Sequence, residues 1–167
     1  MSGTTAVLPA THDFDFLWGS WAIENTRLRS RLTGSGDWET FAATGTCRPI
    51  LRGSGNIDDF TPVDASAWSG FEGGALRLCD PETGRWSIFW FDNVVHRLLP
   101  PVHGYFVNGI GEFFGDDEHD GQPVLVRYRW HGITPVEAHW EQAFSTDEGQ
   151  TWETNWRMHF TRAAETA

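Results

Sequence analysis

The clearest pattern in the chain is the alternation between Val136 and Phe160. Pairing Phe144 with Trp152 and stepping outward by two sets Gln142 opposite Thr154, Trp140 opposite Trp156, Ala138 opposite Met158 and Val136 opposite Phe160. The intervening positions pair Ala143 with Glu153, Glu141 with Asn155, His139 with Arg157 and Glu137 with His159. One face is apolar except for Gln142 and Thr154, and the other is polar. That is the pattern of an antiparallel hairpin covered on one side.

The same period continues upstream. Val126, Tyr128 and Trp130 alternate with Leu125, Arg127 and Arg129, so Tyr128 and Trp130 are placed on the apolar face of the hairpin. Trp86, Ile88, Trp90 and Asp92 alternate with Ser87, Phe89 and Phe91. Both of those faces carry aromatics, so periodicity leaves open which one points inward, and one of them can meet a partner subunit in a homodimer.

Turn signals separate the strands. Asn108-Gly109 predicts a type I′ hairpin between 105–107 and 111–114, and Asp80-Pro81 to Gly84 a tight turn into Trp86. Gly53 to Asp59 reads as the start of a longer loop that contains Pro62, with strand structure resuming over 68–79. Asp116 to Gly121 reads as an acidic turn, and Pro100-Pro101 as an edge or crossover. The loop Ser145-x-Asp147-x-Gly149-x-Thr151-Trp152 resembles the Asp-box hairpin found in sialidases and many other β proteins. Side chains of Ser and Asp can bond loop amides while glycine takes positive φ. One copy specifies a hairpin and no chemistry.

Nine or ten strands follow, with no amphipathic helix beyond one turn near His12–Leu17. An all-β, antiparallel up-and-down barrel closes such a sheet and removes its edges. Residues 1–11 are expected as a flexible tail and 12–162 as one barrel domain.

Composition sharpens this picture. Ten Trp and twelve Phe make the core aromatic. A formal charge of −11 disfavours nucleic acid and acidic membrane surfaces. Arg27, Arg29 and Arg31 read as a solvated strand face. Cys47 and Cys79, the two cysteines, read as buried thiols rather than a disulfide framework. The opening residues carry no signal-peptide pattern and no stretch is long and apolar enough to span a bilayer, so a cytoplasmic location is expected.

The stretch Asp13-Phe-Asp-Phe-Leu-Trp-Gly-Ser-Trp21 is similar to the FDF-x-x-G-x-W opening of a bacterial family of calycin-like, lipocalin-like barrels of unassigned function. Gly55–Asp58, Leu76–Pro81, Trp86–Trp90, Trp140–Ser145 and Thr151–Trp156 extend the resemblance over nearly the whole chain. It implies a barrel with an internal cavity and brings no catalytic residues.

Candidate chemistry is therefore a lumen that binds a small hydrophobic or aromatic molecule, with Trp90, Tyr128, Trp130, Trp140, Gln142, Thr154 and Trp156 as ligand-binding residues. The competing reading is that these rings fill the barrel, with Tyr128 bonded to Gln142. A second function is a cofactor-free isomerase, cyclase or hydro-lyase of secondary metabolism, with Tyr128, His96 or His103 as general acid or base. A third is a haem barrel using His96 or His103. No metal and no cofactor are expected: His131, His139 and His159 lie on neighbouring strands, but His139 and His159 face outward and do not converge. The run Asp116-x-Glu118-x-Asp120 fails as a calcium loop because its twelfth position is Arg127.

Overall fold

The computed structural model describes residues 9–164, so most of the expected 1–11 tail lies outside the described residues. Ten antiparallel strands run in chain order around a closed barrel. They are β1 (Gly19–Leu28), β2 (Trp38–Ile50), β3 (Gly55–Val63), β4 (Gly73–Cys79), β5 (Trp86–Asp92), β6 (Val102–Val107), β7 (Ile110–His119), β8 (Gln122–His131), β9 (Glu137–Ser145) and β10 (Glu153–Arg162). Each strand pairs with its sequence neighbour, and β1 closes the ring against β10. Among the described residues, no helix is long and apolar enough to cross a membrane.

The local signals explain most of the turns. Asn108 and Gly109 have φ of 52° and 77°, the two positive values a type I′ turn needs. Asp120 and Gly121 repeat this geometry at 49° and 79°. The acidic run before them is strand rather than turn: β7 continues to His119 and pairs Asp116 with Leu125 and Asp117 with Val124. Pro62 likewise sits inside β3, opposite Ala43, and not in a loop. Residues 93–101, with Pro100 and Pro101, form the loosest seam, where β5 and β6 pair only from Trp86 to Ile88. There the Leu99 amide donates to the Trp90 carbonyl at 2.8 Å.

The hairpin register differs from the simple alternation. Trp152 stays in the loop, where its Nε1–H donates to the Gly149 carbonyl, and Phe144 faces Glu153 instead. A β-bulge then adds one residue on β10 between Thr154 and Trp156. Beyond it Trp156 lies opposite Gln142, Met158 opposite Trp140 and Phe160 opposite Ala138. This is a slip of two from the expected pairing, so these apolar residues keep the inward face.

Burial settles the orientation of β5. Trp86, Ile88 and Trp90 join the aromatic core inside, whereas Ser87, Phe89 and Phe91 form the outer face. The chain entry forms two short 3-10 turns, Ala10–His12 and Asp15–Leu17, that plug one end of the barrel. Phe14 and Leu17 are each 1 % exposed. The Phe14 ring meets Trp86, Phe106, Phe113 and Trp130 at centroid distances of 4.8–6.0 Å. Trp21 Nε1–H fastens the plug to β1 by donating to the Leu17 carbonyl at 2.7 Å. The FDF-x-x-G-x-W opening is thus a stopper. Replacing Phe14 with Ala should cost roughly 3–5 kcal/mol, the range for deleting a packed aromatic, read as a shift in the denaturant midpoint.

Candidate functional site

Below the plug, the lumen holds an enclosed cavity of about 50 Å³, walled by Trp21, Ile23, Cys47, Ile88, Trp130 and Phe160 among others. Toward the other end lies a larger chamber of about 250 Å³. Trp90, Tyr128, Trp140 and Met158 line both and separate them. Alternation explains this placement: from plug to mouth, β8 presents Trp130, Tyr128 and Val126, and β5 presents Trp86, Ile88 and Trp90.

A loop between β3 and β4 covers the chamber. Its 3-10 turn Ser66–Trp68 lays Trp68 parallel to Phe41 at 4.7 Å, and Phe71 meets Trp68 edge-on at 5.2 Å. Trp156 packs between Trp68, Trp90 and Trp140 at 5.9–6.2 Å. Tyr128 sits edge-on to Trp140 at 5.0 Å. Burial pushes its phenol up to about 12, so at neutral pH it is a hydrogen-bond donor, not a base.

The polar groups of the chamber are less legible from sequence. Gln142 Nε2–H donates to Asn155 Oδ1 at 2.9 Å, and Trp156 Nε1–H donates to Asn25 Oδ1 at 3.0 Å. Thr154, expected as the partner of Gln142, pairs instead with Ala143. The bulge turns Asn155 into the lumen in its place, fully buried. Arg27 and Arg31 also line the chamber rather than a solvated face, and of the three arginines only Arg29 is exposed. The Arg27 guanidinium lies over Trp68 and Trp156 at 5.0 and 5.3 Å, and that of Arg31 over Phe144 and Trp156 at 5.5 and 5.7 Å. Burial, reinforced by Arg27, pushes the Arg31 guanidinium down to about 10. Asp92, Asp117 and His119 also line the chamber, with exposed Glu118 at its rim. His119 lies 5.5 Å from the same Phe144 ring that Arg31 covers. Asp92 is already engaged by Trp90 Nε1–H and by the amides of Val94 and Val95.

His96 and His103 lie outside the lumen. His96 is an exposed loop residue with φ of 52°, beside a separate surface groove. His103 points out from β6 and shares a hydrogen bond with Ser87 at 2.8 Å. Strand parity explains it, since Val102 and Gly104 are the inward residues of β6. The acid–base and haem readings lose these two residues. His119, by contrast, reaches the chamber because β7 extends through it.

Both cysteines are free and buried, as expected, and desolvation drives the Cys47 thiol up to about 12, where it is inert. Farther up the lumen Arg77 donates to Asp58 at 2.7 Å and to Asn56 at 3.0 Å. On the outer wall His131, His139 and His159 stand directly opposite one another on β8, β9 and β10. The ligand atoms of Glu137, His139 and His159 lie within 4.8 Å of one another. The rings of His139 and His159 stack at 4.4 Å and 5°, so the register slip brings together outward-facing histidines that the simple alternation sets opposite Arg157 and Glu137.

Fold and site together define a closed ten-stranded antiparallel up-and-down β-barrel with a stoppered end and an aromatic chamber at its mouth. The fold is similar to the crystal structure of Rv2717c from M. tuberculosis, with a TM-score of 0.57 and 11% identity over 95% of this chain and 100% of that one. No family model matches the sequence, and no curated protein does.

Two outcomes test the site's physics. Changing Gln142 to Leu leaves Asn155 Oδ1 without its donor and should cost roughly 1–3 kcal/mol, measured by chemical denaturation. His131 is held below the usual histidine range by burial, helped by Arg129 and His139 and opposed by Glu141. The unfolded chain therefore takes up this proton first, and stability should fall as pH drops below about 6.5. His131→Gln should shrink the difference in melting temperature between about pH 7.5 and about pH 5.5.

Proposed function

We propose that the protein binds one small, predominantly apolar molecule, aromatic or hydrophobic, in the mouth chamber. The observation that carries this reading is the chamber of about 250 Å³ between Trp68, Trp90, Trp140, Trp156 and Tyr128, which shares its Trp90, Tyr128, Trp140 and Met158 wall with the inner cavity of about 50 Å³. Indole and phenol faces supply apolar area with fixed geometry, and a few amides orient what enters. Trp90, Tyr128, Trp140, Gln142 and Trp156 would touch the ligand, Trp130 would form the floor, and Thr154 would take no part.

A second reading is a cofactor-free enzyme acting on the same kind of molecule. Tyr128 favours it: a phenol kept protonated at the junction of the two cavities is placed to act as a general acid. Turnover lost in Tyr128→Phe, with binding retained, would select the enzyme over the carrier.

The binding reading predicts a particular behaviour for Trp140→Ala. Part of the Trp140 ring borders open space on two sides, so fewer packing contacts vanish with it. Its stability cost should fall below the roughly 3–5 kcal/mol of a fully packed ring, while binding is lost. Titration with the neutral fluorophore N-phenyl-1-naphthylamine, beside denaturation curves of both proteins, checks this. A wild type that binds no probe, paired with a full-sized stability loss in the variant, would overturn it.

A further inference from the structure

The chamber holds a surplus of hydrogen-bond donors on one side. Arg27 Nε, Arg31 Nε and Nη2, Trp68 Nε1 and Asn155 Nδ2 are all buried and all without a partner. Arg27, Arg31 and Trp68, from the β1 end, the following bend and the covering loop, all line the chamber and lie against the same ring, Trp156. Asn155 is buried beside Gln142 at the β10 bulge. The other unpaired buried donors, Arg77 Nε, Arg127 Nε and Trp130 Nε1, are scattered outside this chamber. Buried donors left unpaired are costly, and native interiors leave few of them.

The two guanidiniums are also short of counter-charge. Arg27 approaches Glu39 at 3.5 Å, but Glu39 is shared with Arg29 at 3.3 Å. Arg31 forms no contact ion pair among the described residues; Glu153, held on the Leu32 amide, and Glu39 act on it only at longer range. Asp117 and Asp92 face the chamber from β7 and β5, whereas Glu118, at its rim, is exposed on the outward parity of β7. Arg77 shows the alternative in the same barrel: a buried guanidinium whose Nη1 has Asp58 at 2.7 Å and Asn56 at 3.0 Å, although its Nε is unpaired. The Arg31 wall has cation–π faces in place of such a partner.

Resting on the binding function proposed above, we infer that the ligand is a carboxylic acid with an apolar body. Its carboxylate takes the place beside Arg31 and Arg27, accepting from the unpaired N–H groups. Its apolar part runs inward over Trp156 and Trp140 toward Tyr128 and Met158. A carboxylate suits this wall because its acceptors match donor-only partners, and charge-assisted bonds in an enclosed site are the stronger kind.

The test compares 2-naphthoate and octanoate with their matched primary alcohols by calorimetry at neutral pH. The acids should bind about tenfold or more tightly than the alcohols, equivalent to about 1.4 kcal/mol. In Arg31→Gln this preference should disappear while alcohol binding persists. Arg31→Lys should restore part of it, and Arg48→Gln, on the outer wall, should leave it intact. Alcohols and acids binding equally to wild type would overturn the inference and leave the binding function standing. An acid preference unchanged in a folded Arg31→Gln protein would overturn the assigned position. Wild type binding neither the acids, the alcohols nor the neutral fluorophore would overturn the binding function itself, and the inference with it. Should Arg31→Gln not fold, loss of the acid preference in Arg27→Gln decides the assignment, and its persistence there overturns it.

Discussion

Closure of the sheet is the constraint on which everything else depends. Because β1 pairs with β2 on one side and β10 on the other, the barrel has no free edge, and its width is set by strand number and tilt. An eight-stranded barrel is about wide enough for side chains to fill, and this one has ten strands. The large inward rings are a consequence: Trp21, Trp86 and Trp130, each at most 2 % exposed, fill the stoppered half. Toward the mouth Trp156 still meets Trp90 across the barrel at 6.2 Å, yet the lumen is not filled there and a chamber of about 250 Å³ remains beside these rings.

The stopper and the chamber divide the work of the barrel. At the stoppered end most polar groups find partners: Arg77 Nη1 with Asp58 and Asn56, Trp86 Nε1–H with the Ala10 carbonyl, Trp21 Nε1–H with Leu17, leaving Arg77 Nε and Trp130 Nε1 unpaired. At the mouth the balance shifts toward donors. A buried charge that is fully paired holds a fold in one arrangement, whereas one lacking an acceptor raises the free energy of the empty state. The stoppered half of the barrel can offset that cost through the Phe14, Trp86, Phe106, Phe113 and Trp130 contacts of the plug.

Much of this architecture can be read from the chain. Period-two alternation placed Trp140, Gln142, Trp156, Tyr128 and Trp130 on one face, and the Asn108-Gly109 signal gave its turn. The same parity extended back along β1 would have placed Arg27 inward with Trp21, Ile23 and Asn25. A run of arginines looks solvated only when counted by composition. Extending β7 through its acidic residues would have exposed His119 as a chamber residue. The strand was hidden because Asp and Glu there resemble turn chemistry, although their partners Val124 and Leu125 are apolar. Trp68 and Phe71 carry no such signal: they reach the site from a loop, and only tertiary packing on Phe41 brings them there.

The hairpin shows how local geometry and the site are one feature. The Ser145–Thr151 loop is held by its own side chains, with Asp147 accepting from the Thr151 hydroxyl and amide, and Ser145 from the Gly149 amide. That loop sets Phe144, an inward residue, opposite Glu153 and Ala143 opposite Thr154. Continued without interruption, this register would face Gln142 with Asn155, Glu141 with Trp156 and Trp140 with Arg157, placing a charge in the core and an indole in water. One extra residue corrects the parity. The bulge returns Trp156, Met158 and Phe160 to the lumen, and it leaves Asn155 with its side chain inside beside Gln142. A repair of strand register thereby delivers a buried amide beside Gln142 whose own N–H is left without an acceptor.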